Sequence, residues 1–281
     1  MDRFVSFDGL GYLLAQGFVQ NALIACAVLG IVAGALAPLI VSRGMAFAVH
    51  GTAELAFTGG AAALLIGIGV GIGAVAGAVV AGLVFGILGL RQRERDSVIG
   101  VVLAFGLGLG VLMLSLYSGR ASNKFGLLVG SIVSVSTADL VLLAIVAVLV
   151  TCVLAVLYRP LLFASTDPDV AVARGVPVRA LSLVFAVLVG LVTALAVPIV
   201  GAILVLSVMI APGAAAARIT ASPLAATVIA VVFAEIALVG GALLSLAPGL
   251  PVSGYVATLA FVLYVGARVT ARLRGRRAVA A

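Results

Sequence analysis

Long apolar segments recur along the whole chain, and they constrain its fold more than any other feature of the sequence. About 20 apolar residues in an α-helix span the hydrocarbon core of a bilayer, because each residue rises 1.5 Å along the helix axis. Of the 281 residues, 65% are hydrophobic and 9% are charged, whereas roughly 25% of the residues in a soluble domain are charged. The runs are too long, and lack the alternation of polar and apolar residues, for an outer-membrane barrel. We therefore predict an all-α, polytopic transmembrane helical bundle.

The net charge of +7 does not indicate binding to nucleic acid. Most of the basic residues fall in short segments that we assign to one side of the membrane, which is the positive-inside pattern of cytoplasmic loops. Arg120 and Lys124 are exceptions. Cys26 and Cys152 lie in apolar runs far apart in sequence, so we expect two small core residues rather than a disulfide.

Polar residues divide the chain into nine predicted spans with no linker between domains, so residues 1–281 are expected to form a single membrane domain. With the N-terminus outside and the C-terminus cytoplasmic, the arginine clusters fall inside, as expected for the inner (plasma) membrane. Eight crossings with one half-helix fit as well. A stretch near 123–135 is too short to cross and is predicted to be re-entrant or to lie at the surface. The spans are 18–42, 45–66, 68–90, 97–117, 140–158, 180–197, 198–217, 223–245 and 254–271.

Two polar connections are distinctive. Residues 91–96 form the densest internal charge cluster and are predicted to be a cytoplasmic loop. In the longest connection, 159–179, Asp167 can cap a short helix that has Pro168 at its first position and stops near Gly175. Such a helix near 165–176, between two spans, has the shape of a docking element.

His50 and Glu54 are the sharpest functional candidates, because His50 is the only histidine and both lie in an apolar segment. Residues four apart share one face of a helix, about 6 Å apart, so the pair can share a cation or a proton. Nitrogen and carboxylate donors suit zinc, manganese or ferrous iron better than calcium or magnesium. The simpler alternative is that Glu54 hydrogen-bonds a neighbouring helix and His50 lies near the interface. Thr58, Gly59 and Gly60 follow and are able to bend or unwind this helix.

Glu235 is the other acid predicted at membrane depth, either in the same pathway or paired across the bundle. A charge at the bilayer centre costs roughly 2.5 kcal/mol or more, so a function is the default hypothesis for such residues. Asp139 is expected at the start of a span. The sequence has no GxxxxGK[ST] phosphate loop, and His50 has no identifiable nucleophile beside it, so we do not expect an enzyme.

Four ordered motifs resemble the membrane subunit of ABC uptake systems for zinc, manganese or iron. The first is SRGMAF followed by the polar pair and a glycine-rich helix; the others are residues 96–100, 167–177 and 200–215. The family's pair is an aspartate followed four residues later by a histidine, so here the donor types are kept and their order is exchanged.

The resemblance implies a permease homodimer in the lipid bilayer, two separate ATPase subunits and an extracytoplasmic metal-binding protein that delivers the ion. His50 and Glu54 would then form the ion path, with zinc or manganese as the substrate and no permanently bound cofactor. The ATPase contact would include Asp167, Pro168, Asp169, Ala173 and Gly175. The alternatives are a proton-coupled carrier that uses Glu54 and Glu235 as relay groups, and a membrane scaffold without transport activity.

Overall fold

The structure, a computed structural model, describes residues 10–88, 92–130, 135–246 and 251–279. Helices account for nearly all of these residues, which also include one short 3-10 turn, Ala202–Leu204. The prediction of an all-α bundle is confirmed. The helices are α1 Leu10–Leu14, α2 Gly17–Ser42, α3 Ala46–Ile66, α4 Val70–Leu88, α5 Gln92–Leu116, α6 Ala121–Val129, α7 Thr137–Thr166, α8 Pro168–Ala173, α9 Val178–Val200, α10 Val205–Met209, α11 Ala211–Ile219, α12 Pro223–Leu246 and α13 Val252–Val279.

Seven of these helices are long and apolar enough to cross a membrane: α2, α3, α5, α7, α9, α12 and α13. Two further apolar stretches, Val70–Phe85 in α4 and Val205–Ile219 in α10 and α11, are shorter. They correspond to the third and seventh predicted spans. α6 has nine residues and, at 1.5 Å per residue, is too short to cross, as predicted for this stretch; residues 131–134 of that prediction lie outside the described part.

Two predicted span boundaries at prolines are wrong. α7 does not end at Arg159 but continues through Pro160 to Thr166, and α9 continues through Pro198 to Val200. A proline in a long helix removes one backbone hydrogen bond, which neighbouring helices can compensate inside a membrane. The break between α9 and α10 falls instead at Gly201, whose φ of 92° is a conformation that residues with side chains rarely adopt.

Three smaller predictions also need correction. The charge cluster begins α5, since Gln92–Asp96 are helical rather than a loop, and Arg91 lies outside the described residues. α3 runs unbroken through Gly59 and Gly60. Cys26 is buried, but Cys152 is exposed on the surface of α7, so only one of the two cysteines belongs to the core.

α3 lies at the centre of the first half of the bundle, where it packs against α4, α5 and α9. Its contact with α4 is made through glycines: a Cβ on Gly73 would clash with the Gly59 carbonyl oxygen, and one on Gly77 would clash with that of Leu55. Gly73 and Gly77 are four residues apart, which is the GxxxG spacing that lets two helices approach closely. α2 packs mainly against α12, α7 and α11.

Candidate functional site

α3 carries both residues of the predicted ion path. The helix begins at Ala46, after a corner in which Gly44 adopts a φ of 62°. At 1.5 Å per residue, Glu54 lies about 12 Å along the helix from its first residue, so the pair lies well inside the apolar span. His50 is one turn closer to the corner, on the same face.

Glu54 is only 5% exposed, whereas His50 is half-buried. Among the described residues, neither Glu54 Oε2 nor His50 Nδ1 has a hydrogen-bond partner, although both atoms are buried. A buried polar atom without a partner costs roughly 1–3 kcal/mol, and more when it is charged. The simpler alternative was that Glu54 hydrogen-bonds a neighbouring helix. Within the described residues, Glu54 Oε2 makes no such bond.

α5 covers one side of this face, and it does so through small residues and backbone. The Thr58 hydroxyl donates to the carbonyl oxygens of both Glu54 and Gly106, which joins α3 to α5 one turn beyond Glu54. A Cβ on Gly106 would come within 3.6 Å of the Glu54 backbone. These contacts hold the Glu54 backbone in place and do not involve its carboxylate.

Two donors do not complete a metal site. Metal sites for zinc generally have four ligands, or three protein ligands and a water. The described part of the chain contains no group of three or more His, Cys, Asp or Glu residues able to hold a metal ion. The pair is therefore suited to transient coordination, with further ligands from water or from a second chain.

Glu235 lies elsewhere. Its helix, α12, packs mainly against α2 and α13 rather than α3. A Cβ on Gly30 of α2 would lie 2.5 Å from Glu235 Oε1, an atom that is buried and, within the described residues, has no hydrogen-bond partner. Its carboxylate thus faces α2, and the structure does not bring it onto the face of His50 and Glu54.

The buried polar groups that were missed from the sequence include a threonine of α9. Thr193 of α9 is fully buried, and its hydroxyl has no partner within the described ranges. It lies three residues after Gly190, which contacts Ala78 and Thr52, so it faces α3 and α4. A single threonine in an apolar span was the only sign of this group in the sequence. It is a weak sign, because a threonine hydroxyl in a membrane helix can donate to a backbone carbonyl of the preceding turn.

The predicted capped helix is present as α8. Asp167 Oδ1 accepts a hydrogen bond of 3.0 Å from the Val170 backbone N–H, Pro168 is the first helical residue, and Asp169 lies in the first turn. Ala173 is the last residue of the helix, and Gly175 follows it with a φ of 79°. The helix is shorter than the predicted 165–176, because residue 165 still belongs to α7.

α8 has one buried side and several exposed apolar side chains. Ala171 is fully buried, whereas Val170 and Val172 are 44% and 61% exposed. Asp167, Asp169, Ala173 and Gly175 are exposed as well. Ala171 therefore fixes α8 to the bundle, while Val170 and Val172 point outward.

Comparisons with known proteins agree over nearly the whole chain. The profile of the ABC 3 transport family matches residues 15–271. The manganese transport system membrane protein MntC of Halalkalibacterium halodurans is 30% identical over 209 residues, which are 74% of this chain and 72% of the relative. The manganese import system permease protein ScaB of Streptococcus parasanguinis is 32% identical over 208 residues, 71% of each chain. A chain of the solved structure of PsaBC from Streptococcus pneumoniae in complex with Fab superposes with a TM-score of 0.82 at 26% identity, covering 93% of both chains.

Proposed function

The chain belongs to the ABC 3 transport family, and from that premise we propose that it is the membrane subunit of an importer of divalent transition-metal ions. His50 and Glu54 form the transient ion site in this proposal, and residues 1–281 act as one permease domain. The observation that carries the proposal is that Glu54 Oε2 and, one helical turn away, His50 Nδ1 are buried and have no hydrogen-bond partner among the described residues. A passing cation can take these two atoms as ligands without displacing a hydrogen bond that the described residues make to them.

Manganese is the favoured substrate, ahead of zinc and iron. The names of the relatives support this choice, since MntC and ScaB are both described as manganese transport proteins. The two donors are consistent with manganese, because a carboxylate is a common manganese ligand and an imidazole coordinates several divalent transition-metal ions. No resident cofactor is needed for this function.

The energy source in this proposal is a separate ATPase subunit, and the permease has no ATPase site of its own. Two permease copies related by a twofold axis contribute two His50–Glu54 pairs, which would double the number of donors. An extracytoplasmic metal-binding protein delivers the ion. α8 contacts the ATPase, a role that its exposed Val170 and Val172 support.

Replacement of both donors tests the ion site. His50→Ala with Glu54→Ala should reduce manganese uptake to the level of cells that lack the permease, because loss of even a supporting partner of a metal ligand lowers affinity by about 10–100-fold. Uptake of radioactive or fluorescent-reporter manganese would be measured in cells with matched amounts of permease in the membrane.

A swapped variant provides the matched control. His50→Asp with Glu54→His restores the order of donors that the related motif has, and it should keep uptake well above that of the alanine variant. Uptake that is unchanged in the double-alanine variant would exclude this pair as the ion site. Uptake that stops on collapse of the proton gradient but continues when ATP is depleted would favour the proton-coupled alternative.

A further inference from the structure

Arg43 ties the corner between α2 and α3 to the last turn of α7. Its Nε donates a hydrogen bond of 2.7 Å to Ser165 Oγ, and its Nη2 donates one of 3.0 Å to the Leu161 carbonyl oxygen. The guanidinium also lies over the ring of Phe185 in α9, 4.9 Å from its centroid. One side chain thus contacts two other helices, at positions more than 115 residues away along the chain.

Each end of this contact is held rigidly. On the α2 side, the backbone N–H groups of Arg43, Gly44 and Met45 donate to Leu39, Val41 and Ile40 respectively. These bonds satisfy the carbonyls at the end of α2 and fix the direction in which α3 begins. On the α7 side, Ser165 Oγ itself donates to the Leu161 carbonyl oxygen at 2.6 Å, so the two groups that receive Arg43 are also bonded to each other.

The two ends lead to the two functional elements. Ser165 lies in the last turn of α7, two residues before Asp167, the residue that caps α8. On the other side, α3 begins at Ala46 and carries His50 within its first two turns.

α8 is connected to the same contact through the core. It packs against both α7 and α9, and its buried Ala171 belongs to the hydrophobic cluster that also contains Leu161 and Phe185. A displacement of α8 is therefore expected to act on α7 and α9, the helices on which Arg43 is seated, because closely packed interiors transmit strain.

We propose that Arg43 is a positioning residue that transmits movement of α8 to the start of α3, and so couples the ATPase contact to the ion site. This inference rests on the proposed function. Arginine suits the role because its planar group donates in several directions at once and stacks on an aromatic ring, whereas a lysine ammonium acts as a single point charge. Arg43→Lys is thus expected to keep the positive charge at the membrane surface and lose the three-way contact.

The coupling ratio provides the first test. The permease and its ATPase subunit would be reconstituted in liposomes, and the number of manganese ions transported per ATP hydrolysed would be measured. Arg43→Lys should lower this ratio about 5-fold or more, the lower end of typical coupling between sites, while the complex still assembles and hydrolyses ATP. Ser165→Ala, which removes only the acceptor of the Nε hydrogen bond, should lower the ratio less. Arg159→Lys, a change at an exposed arginine of α7, should leave it unaltered.

Hydrogen exchange of the intact complex tests the linkage without reference to metal. In the wild type, addition of ATP with vanadate should change exchange in the peptides that cover residues 167–176 and 44–50. In Arg43→Lys the response of 167–176 should persist, and that of 44–50 should be lost.

Two results would overturn the inference: a response of residues 44–50 that survives in Arg43→Lys, or a wild type in which these residues do not respond to nucleotide. A wild type that shows both exchange responses but transports no metal would contradict the proposed function and leave the linkage supported.

Discussion

At the scale of single residues, Glu235 shows how a missing side chain positions an acid inside the bundle. Its Oε1 lies only 2.5 Å from the position that a Cβ on Gly30 would occupy. Gly30→Ala should therefore push the carboxylate out of its place or separate α2 from α12. The atom that the new methyl group meets is the end of a flexible side chain, so we expect a cost of about 1 kcal/mol, the low end for overpacking, and a slightly lower Tm of the detergent-solubilised permease in a thermal-shift assay.

A double-mutant cycle separates this cause from a general effect on α2. Glu235→Ala removes the atom that the new methyl group meets, so Gly30→Ala should cost much less in that background. Gly17→Ala serves as the control, because an added Cβ at Gly17 meets no atom within 4 Å. If Gly30→Ala lowered Tm equally in the wild type and in the Glu235→Ala background, the carboxylate would not be the group that requires a glycine at position 30.

The identity of the candidate site residues was accessible from the sequence, and their partners were not. His50 and Glu54 are conspicuous because they are ionisable side chains in an apolar run, and their helical spacing already places them on one face. The placement of Glu235 against α2 depends on how two helices about 200 residues apart pack, which no local pattern encodes. The same holds for Arg43, which was interpreted as a topology signal and as part of the SRGMAF motif and proves to contact Leu161, Ser165 and Phe185.

At the scale of secondary-structure elements, two glycines shape the junction between the short helix α6 and the break after α9. Gly130 and Gly201 have φ of 80° and 92° with ψ of 154° and 146°, a region close to one that only glycine populates. Their backbones also touch, since a Cβ on Gly201 would lie 2.5 Å from the Leu128 carbonyl oxygen, and one on Gly130 would lie 2.5 Å from that of Ile199. The junction thus requires glycine for both conformation and space.

Gly201→Ala should consequently destabilise the permease by at least about 2 kcal/mol, from backbone strain and overpacking together. The measurement is the midpoint of thermal unfolding in detergent. Gly44→Ala is a matched control, because Gly44 also has a positive φ of 62° but an added Cβ there meets no atom within 4 Å. If Gly201→Ala and Gly44→Ala lowered the stability equally, the close approach of α6 to Gly201 would not contribute to the cost of Gly201→Ala.

Gly175 tests the element that we assign to the ATPase contact. It ends α8 with a φ of 79°, and no atom lies within 4 Å of an added Cβ, so its conformation alone restricts the residue. Gly175→Val should misplace the end of α8 and weaken co-purification of the ATPase subunit, since a left-handed conformation costs an ordinary residue about 1–2 kcal/mol.

Gly175→Asn provides the comparison, because asparagine adopts the left-handed region more readily than other residues with side chains. Co-purification should be largely retained in this variant. Gly175→Asp, which adds a negative charge beside the exposed helix, should weaken it while membrane insertion persists. Undiminished ATPase binding in both the Val and Asp variants would remove α8 from the contact.

Element boundaries were predicted well where a cap defines them and poorly where a proline was taken as a stop. The Asp167 cap and the start of α8 were predicted correctly, and Asp139 lies in the first turn of α7, where its carboxylate and the Ser136 hydroxyl form a capping box. Pro160 and Pro198 misled the prediction, because a helix in a packed bundle can continue through a proline at the loss of one hydrogen bond. Whether it does so depends on its neighbours.

At the scale of the whole molecule, contacts between distant helices define two opposite ends of the bundle. Arg43 joins the α2–α3 corner to the C-terminal end of α7, whereas Gly71, near the start of α4, approaches Asp139 at the N-terminal end of α7. α10 and α11 begin beside Gly201, which packs against the end of α6. Gly213 of α11 packs against Ala37, near the C-terminal end of α2, so α10 and α11 together run towards the end of the bundle where the Arg43 corner lies. Together with α4 and this broken pair, which are shorter, the seven long helices are consistent with the eight or nine crossings expected from the sequence.

This arrangement predicts which surfaces share a side of the membrane. Ser42, beside the Arg43 corner, and Arg174, at the end of α8, are both exposed and should face the cytoplasm with the C-terminus. Ile68, 48% exposed between α3 and α4, should face the outside. Single cysteines at these positions would be introduced in a Cys152→Ser background, since Cys152 is the exposed native thiol and Cys26 is buried.

A membrane-impermeant maleimide added to intact cells should label Ile68→Cys alone, and Ser42→Cys and Arg174→Cys should become labelled only after the membrane is permeabilised. The positive-inside bias of the arginine-rich segments is the physical basis for the absolute orientation, while the contacts of Arg43 require that Ser42 and Arg174 behave alike. Labelling of all three with the sides exchanged would reverse the proposed orientation and leave the fold intact. Labelling of Ser42→Cys and Arg174→Cys from opposite sides would contradict the packing of the α2–α3 corner on the end of α7, and with it the route from α8 to the ion site.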